Sequence, residues 1–406
     1  MATLLLFALV FSSQLMAGIT ASPSSLPPPS YGNRTSVLSI DGGGIRGIIP
    51  ATVLEYLDNA LKAKDPTTSL AHYFDVISGT STGGLMTAML AAPTSPHSKH
   101  PLFNPSQVLQ FYKKYGPEIF KPRAWYDPEK CPKYDGVFLR DITGKLLKDT
   151  RLNQTLTNVV ITSFDERKIK PVIFSNFKLK TATYLNAKLS DIALATSAAP
   201  TYLPSHQFEN DGVEFDLLDG AMAANNPAVV AVSEVIQHSE NKEILLLSLG
   251  TGTTQKNKLT GIFDVVCQVG WLINSIDVVS EALYSTNMIH YYLATVFPGL
   301  LPPDNYLRIE EYNLDPSLGE MDNADPKNME ELEEVGKNLL QENVSRININ
   351  TFIPYEIDQT NAEALDRLAE KLYAERQLRL KRKSMANEGS PFIETVKISS
   401  AELHAA

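Results

Sequence analysis

The chemistry this chain could perform starts at Gly79-Thr80-Ser81-Thr82-Gly83. The run before it, Tyr73-Phe74-Asp75-Val76-Ile77-Ser78, predicts a short buried strand. The run after it, from Gly84 to Ala91, predicts a helix that is apolar nearly all round. A serine between two glycines at such a turn forms a nucleophile elbow. The glycines let the backbone bend without a Cβ clash, and the hydroxyl stands exposed at the tip. Unpaired N–H groups and the positive end of the helix dipole lie behind it and suit an oxyanion. Taken alone, the pattern also fits an ordinary strand-to-helix turn.

A second turn narrows the choice. The β-type run Ser36-Val37-Leu38-Ser39-Ile40 feeds into Asp41-Gly42-Gly43-Gly44-Ile45-Arg46-Gly47. A helix is expected next, with Ile48, Ile49, Val53, Leu54, Leu57 and Leu61 on its apolar stripe and Pro50 in its first turn. Three successive glycines, Gly42, Gly43 and Gly44, can present backbone N–H groups as an anion-binding concavity. A phosphate is one candidate anion, but neither the P-loop nor the dinucleotide spacing is present. The tetrahedral oxyanion of acyl transfer is the other, and a nucleophilic serine elsewhere favours it. The strand-like Phe215-Asp216-Leu217-Leu218 then ends in Asp219-Gly220-Ala221. An aspartate there can point into a site at the carboxyl edge of a sheet, or simply cap a turn.

With these three stretches in this order and spacing, the chain resembles the patatin family of plant lipid acyl hydrolases. Matching text also runs from Ala195 to Pro204 and from Leu245 to Thr253, so the likeness spans roughly residues 36 to 385. The resemblance implies a Ser–Asp dyad, with Ser81 as nucleophile and Asp219 as base. It further implies an oxyanion hole of N–H groups from Gly42 to Gly44, with Arg46 nearby on the substrate side, and neither a metal nor another cofactor. The implied activity is carboxylic ester hydrolysis of phospholipids and galactolipids, of phospholipase A type, at a micelle or membrane surface. A storage or defence protein with little turnover is the alternative within the same fold. An aspartate near its ordinary pKa of about 3.9 is a weak base for a serine hydroxyl. Such a dyad is therefore expected to lean on geometry, helix dipole and oxyanion donors.

The elements that must position these residues alternate in type. Strand-like and helix-like runs succeed one another from Ser36 to about Gly252, which argues for an α/β three-layer sandwich with a central, mostly parallel sheet. Runs such as 171–174 and 243–249 read as continuous apolar strands of a sheet covered on both faces. The stretch 93–135, rich in Pro, Tyr and Lys, reads as an irregular surface excursion. Residues 259–297 carry no Lys or Arg, and read either as core helices or as an interface-contacting lid. Residues 360–383 show an amphipathic helix pattern through Leu365, Leu368 and Leu372. That helix ends in Arg376, Arg379, Lys381, Arg382 and Lys383, read as a solvated helix end.

Composition bounds the partners. The 406 residues are 43% hydrophobic and carry a net charge of −10. This disfavours nucleic acid, which needs a basic face, and electrostatic adsorption to anionic membranes. Residues 1–21 read as a secretory signal peptide whose apolar core is too short for a membrane anchor; no transmembrane segment is expected. Residues 22–35 read as a flexible lead, 36–385 as the catalytic domain, and 386–406 as a disordered tail. Sequons at Asn33, Asn153 and Asn343 fit a secretory route to a vacuole or the exterior. Cys131 and Cys267 are the only cysteines, read as separate thiols or one disulfide, and no Cys/His cluster has metal spacing. A conventional Ser-His-Asp esterase would draw its histidine from His238, His290 or His404, none of which follows a strand in a glycine-rich loop, while His206, after Tyr202-Leu203-Pro204-Ser205, reads as a pocket-lining or a structural residue.

Overall fold

The computed structural model describes residues 25–122, 132–239, 243–254, 286–296, 301–351 and 353–387. The expected leader, both cysteines, the tail beyond 387 and most of the charge-poor stretch lie outside the described residues. Eight strands build the main sheet: β1 (Arg34–Ile40), β2 (Val76–Gly79), β3 (Asn158–Asp165), β4 (Lys170–Ser175), β5 (His206–Asn210), β6 (Val213–Asp219), β7 (Glu243–Leu249) and β8 (Tyr306–Ile309). The strands β3-β2-β1-β7-β8 lie side by side and parallel. Both β4 and β6 pair antiparallel with β3, and β5 pairs antiparallel with β6.

The helices are α1 (Ile48–Lys62), α2 (Thr82–Ala91), α3 (Pro105–Ile119), α4 (Val137–Leu147), α5 (Leu189–Thr196), α6 (Ala221–Ala224), α7 (Ala228–His238), α8 (Thr286–Val296), α9 (Pro326–Gln341) and α10 (Asn361–Asn387). Alternate residues of one strand point to opposite faces, and here both faces are buried. Leu38, Ile40, Ile77, Ile161, Leu247 and Leu249 join a core with α1, α2, α3, α9 and α10. Their neighbours Val37, Val76, Val160 and Leu246 join a second core with α7 and α8. Burial on both sides is why these strands read as unbroken apolar runs. The three-layer α/β sandwich expected from the alternation is the fold observed.

Two segments differ from expectation. The stretch read as an irregular excursion contains α3, opened by Pro105 and by a reciprocal pair in which Asn104 and Gln107 bond each other's backbone N–H. Its buried Val108, Leu109, Phe111 and Tyr112 recur at helical spacing, a pattern obscured by the surrounding Pro and Lys. The basic end of α10 is solvated only in part: Lys381, Arg382 and Lys383 are exposed, but two arginines turn inward. Arg376 and Arg379 are 3% and 0% exposed. Arg379 donates to both Asp75 oxygens, at 2.6 and 2.9 Å, to Glu375 Oε1 at 2.9 Å and to the Pro27 carbonyl at 3.1 Å. Asp75 in turn accepts from the Ser36 N–H and hydroxyl, so α10 is tied by charge to the starts of β1 and β2.

Candidate active site

Register brings the two glycine turns together. Ile40 at the end of β1 pairs with Gly79 at the end of β2, and with Leu249 at the end of β7 on its other side. The loops that follow therefore leave the sheet side by side, with the Thr80 N–H donating to the Ile40 carbonyl at 3.2 Å. An ideal Cβ built on Gly42 would stand 3.1 Å from Ser81 Cβ.

Within the elbow the backbone strain falls on the serine, not on a glycine. Ser81 has φ 54° and ψ −122°, a conformation L residues rarely hold. The flanking glycines are required by close approach instead: a Cβ on Gly79 would lie 2.1 Å from the Gly83 carbonyl oxygen, and one on Gly83 2.2 Å from that of Ile40. The elbow is held by neutral groups. The Ser81 N–H donates to Thr196 Oγ1 at 2.8 Å, and the Thr80 hydroxyl meets Thr162 Oγ1 at 2.6 Å and the Ala224 carbonyl at 2.7 Å.

Asp219 arrives from the opposite direction. Strand β4 occupies one edge of β3 over Val160–Asp165, so β2 and β6 share the other edge. Strand β2 runs with β3 and ends opposite Ile161, while β6 runs against it and ends opposite Ser163. Their carboxyl ends thus meet head to head across Thr162, with Ser81 on one and Asp219 on the other. Thr196 braces both, since its carbonyl also accepts the Gly220 N–H at 3.1 Å. Asp219 is 2% exposed and its carboxylate accepts from the Ala221 N–H at 2.8 Å. Burial pushes its pKa up to about 7, against the lowering effect of the Ser81 hydroxyl and the Ala221 N–H. The expected mismatch between a weak carboxylate base and a serine hydroxyl is correspondingly smaller.

The glycine loop offers fewer donors than its three glycines suggested. The Gly42 N–H is taken by the Asn225 carbonyl at 3.1 Å, which removes it from the expected set. No described residue accepts from the N–H of Gly43 or Gly44. Gly44 has φ 60°, and a Cβ there would sit 2.0 Å from the Met321 carbonyl oxygen, so this position needs glycine twice over. Arg46 donates to the carbonyls of Gly252 at 2.9 Å and Gly43 at 3.4 Å; it lines the cavity and also braces the loop.

All six expected site residues, Gly42, Gly43, Gly44, Arg46, Ser81 and Asp219, line one cavity of about 610 Å³. Its apolar wall includes Leu85, Tyr112, Ile119, Phe120 and Leu203, so α3 helps to enclose it. Among the described residues no histidine lines this cavity. His206 is bonded to Asp191, His238 to the Glu234 carbonyl and His290 to the Tyr306 hydroxyl. Sequence reasoning missed Thr196, Asn225 and Thr251, which fix the elbow and the loop. All three lie in or beside the stretches already quoted, but hydroxyl and amide partners of a distant backbone leave no local pattern.

A family model for patatin-like phospholipases matches residues 38–232. Patatin-like protein 3 of Arabidopsis thaliana is 42% identical over 397 residues, covering 87% of this chain and 92% of its own. Patatin-17 of Solanum cardiophyllum is 41% identical over 376 residues, covering 87% and 93%. Among solved structures, VipD from Legionella pneumophila aligns over 95% of this chain and 84% of its own at 12% identity, with a TM-score of 0.30. On the sequence relatives, the chain belongs to the patatin-like phospholipase family. It is a lipid acyl hydrolase, a carboxylic ester hydrolase of phospholipase type. No helix among the described residues is long and apolar enough to cross a membrane.

Proposed function

We propose that the chain hydrolyses acyl esters of glycerolipids through a Ser81–Asp219 dyad and an acyl-enzyme. The observation that carries this reading is the convergence of the strained Ser81 and the buried Asp219 carboxylate on one cavity with an apolar wall. Asp219 takes the hydroxyl proton as Ser81 Oγ bonds to the ester carbonyl carbon. Collapse of the tetrahedral species expels the glyceryl alkoxide, which receives that proton from Asp219. Asp219 then deprotonates a water that attacks the acyl-serine, and that proton returns to the Ser81 oxygen as its bond to the acyl carbon breaks and the fatty acid leaves. The oxyanion takes the N–H groups of Gly43 and Gly44, at ~3 kcal/mol for one such donor.

Acyl-chain burial, at about 0.8 kcal/mol per CH₂, drives recognition, and neutral galactolipid and zwitterionic phospholipid are the substrates. The net charge of −10 supports this preference over anionic lipid. Secretory routing is part of the same proposal, since Asn33, Asn153 and Asn343 are all exposed. The test is initial rates on galactolipid, phosphatidylcholine and an anionic phospholipid with matched chains, for the native chain and Ser81→Ala, alongside fluorophosphonate labelling. Labelling and turnover that survive Ser81→Ala overturn the dyad, and a strong preference for the anionic lipid overturns the substrate reading. A mobility shift on endoglycosidase treatment of protein from plant tissue checks the routing.

A further inference from the structure

Beneath the glycine loop lies a charged cluster to which the dyad mechanism assigns no step, one member of which, Glu310, also reaches the wall of the catalytic cavity. Asp41, Arg308 and Glu310 are 0%, 3% and 6% exposed. They gather where β1, β7 and β8 end: Asp41 follows β1, Arg308 lies in β8 with Glu310 just beyond it, and β7 between them leads into Gly250-Thr251-Gly252. Arg308 Nη2 donates to Asp41 Oδ2 and to Glu310 Oε2, each at 2.6 Å, and Nη1 donates to Ser248 Oγ at 2.9 Å. Glu310 Oε1 accepts the Gly252 N–H at 2.7 Å. The Gly252 carbonyl holds Arg46, and Arg46 reaches the Gly43 carbonyl. The Thr251 hydroxyl donates to the Gly42 carbonyl at 2.7 Å. Gly250 is the space this arrangement needs, because a Cβ there would stand 1.6 Å from Glu310 Oε2.

Buried ion clusters are poor stabilisers, since desolvation offsets most of the attraction and a packed apolar set often does as well. Burial pushes Asp41 up to about 6 and Glu310 up to about 7, even with Arg308 between them. Such a cluster does supply direction, because each bond fixes an angle as well as a distance. We propose that Glu310, clamped by Arg308, is a positioning residue that sets the Gly43 and Gly44 N–H groups through Gly252 and Arg46. The proposal rests on the reading of Ser81 as nucleophile. Those N–H groups meet charge that develops in the transition state, so misplacing them should lower kcat and leave KM nearly unchanged.

The test measures kcat and KM on a soluble short-chain ester, with thermal midpoints, for Glu310→Ala, Glu310→Gln, Gly250→Ala and Ser81→Ala in the full chain. Glu310→Ala should lower kcat roughly 10- to 100-fold with KM within about twofold, on the scale of one misplaced oxyanion donor. Glu310→Gln keeps an acceptor for the Gly252 N–H and should regain at least about threefold of that loss. Gly250→Ala removes no charge, yet should fall with Glu310→Ala because it displaces the carboxylate. Should Glu310→Ala not fold, Glu310→Gln and Gly250→Ala decide. Native kcat in both, or a raised KM with kcat unchanged, overturns the positioning role while Ser81→Ala is inactive. Native turnover in Ser81→Ala overturns the nucleophile and this proposal together.

Discussion

The Ser81 elbow and the Gly42–Gly44 loop emerge from neighbouring strands in one register, yet they are held in opposite ways. The elbow carries its strain on a non-glycine residue, and its braces are neutral: Thr196, Thr162 and the packed, wholly buried α2. The loop places its positive φ on Gly44 and rests on buried charge, with Asp41, Arg308 and Glu310 beneath it. A strained turn followed by an apolar helix can be fixed by packing, because a compact core resists deformation. A bare glycine run has no side chains to pack, so its direction must come from hydrogen bonds made by others.

The largest effect expected is from Ser81→Ala, which should cost roughly 10⁴-fold or more in ester turnover. Its circular dichroism should stay native, since the elbow is braced by backbone and threonine groups rather than by the serine hydroxyl. Asp219→Asn comes next, at least ~100-fold down in kcat. The native rate should itself fall as the pH drops through about 7, because the proton retained on the buried carboxylate blocks it as a base. The stability sign is the reverse. Between the ordinary value of 3.8 and about 7 the folded chain holds a proton that the unfolded chain has released, so Asp219 lowers stability as pH rises through that window. Asp219→Asn should therefore be the more stable protein at pH 8, by on the order of 1 kcal/mol, in a denaturant titration.

Gly44→Ala probes the loop. It meets both a positive φ and the Met321 carbonyl, and should cost roughly tenfold or more in kcat. Thr196→Val probes the elbow: the Ser81 N–H would lose its acceptor, lowering stability by about 1–3 kcal/mol with a several-fold loss of rate. If Thr196→Val proves salt- and pH-sensitive while Gly44→Ala does not, the contrast between neutral and charged support is wrong. The smallest effect is expected from His206→Ala, within about twofold of native in kcat, since that ring is bonded to Asp191 outside the cavity. A large loss there, in folded protein, would point to a conventional triad.

The same contrast explains what could be read from the chain. The elbow was legible because strand, glycine spacing and helix fall within about twenty consecutive residues. Asp219 was legible as a strand end, but its approach was not. That the ends of β2 and β6 meet head to head depends on which edge of β3 each takes, and periodicity does not encode this. Arg308 carried no signal, because its partner Asp41 lies more than 260 residues away and a charged residue in a strand usually faces water; Glu310 is buried through that same arginine. For α10 the same rule of thumb misled: the run from Arg376 to Lys383 suits a solvated helix end, while two of its arginines are taken inward by Asp65 and Asp75.

That inward pairing has a bearing on how the molecule is made. Asp75 immediately precedes the strand that leads into the elbow, and its buried carboxylate is matched by an arginine that leaves the ribosome some three hundred residues later. Until Arg379 is synthesised, the first strands hold an acid without a counterion, and removing one partner of a buried pair costs about 3–5 kcal/mol. A nascent or truncated chain ending before Arg379 should thus stay protease-sensitive and unable to cleave lipid, whereas one ending after Asn387 should not. Synthesis of α10 should in this way precede the onset of lipid cleavage.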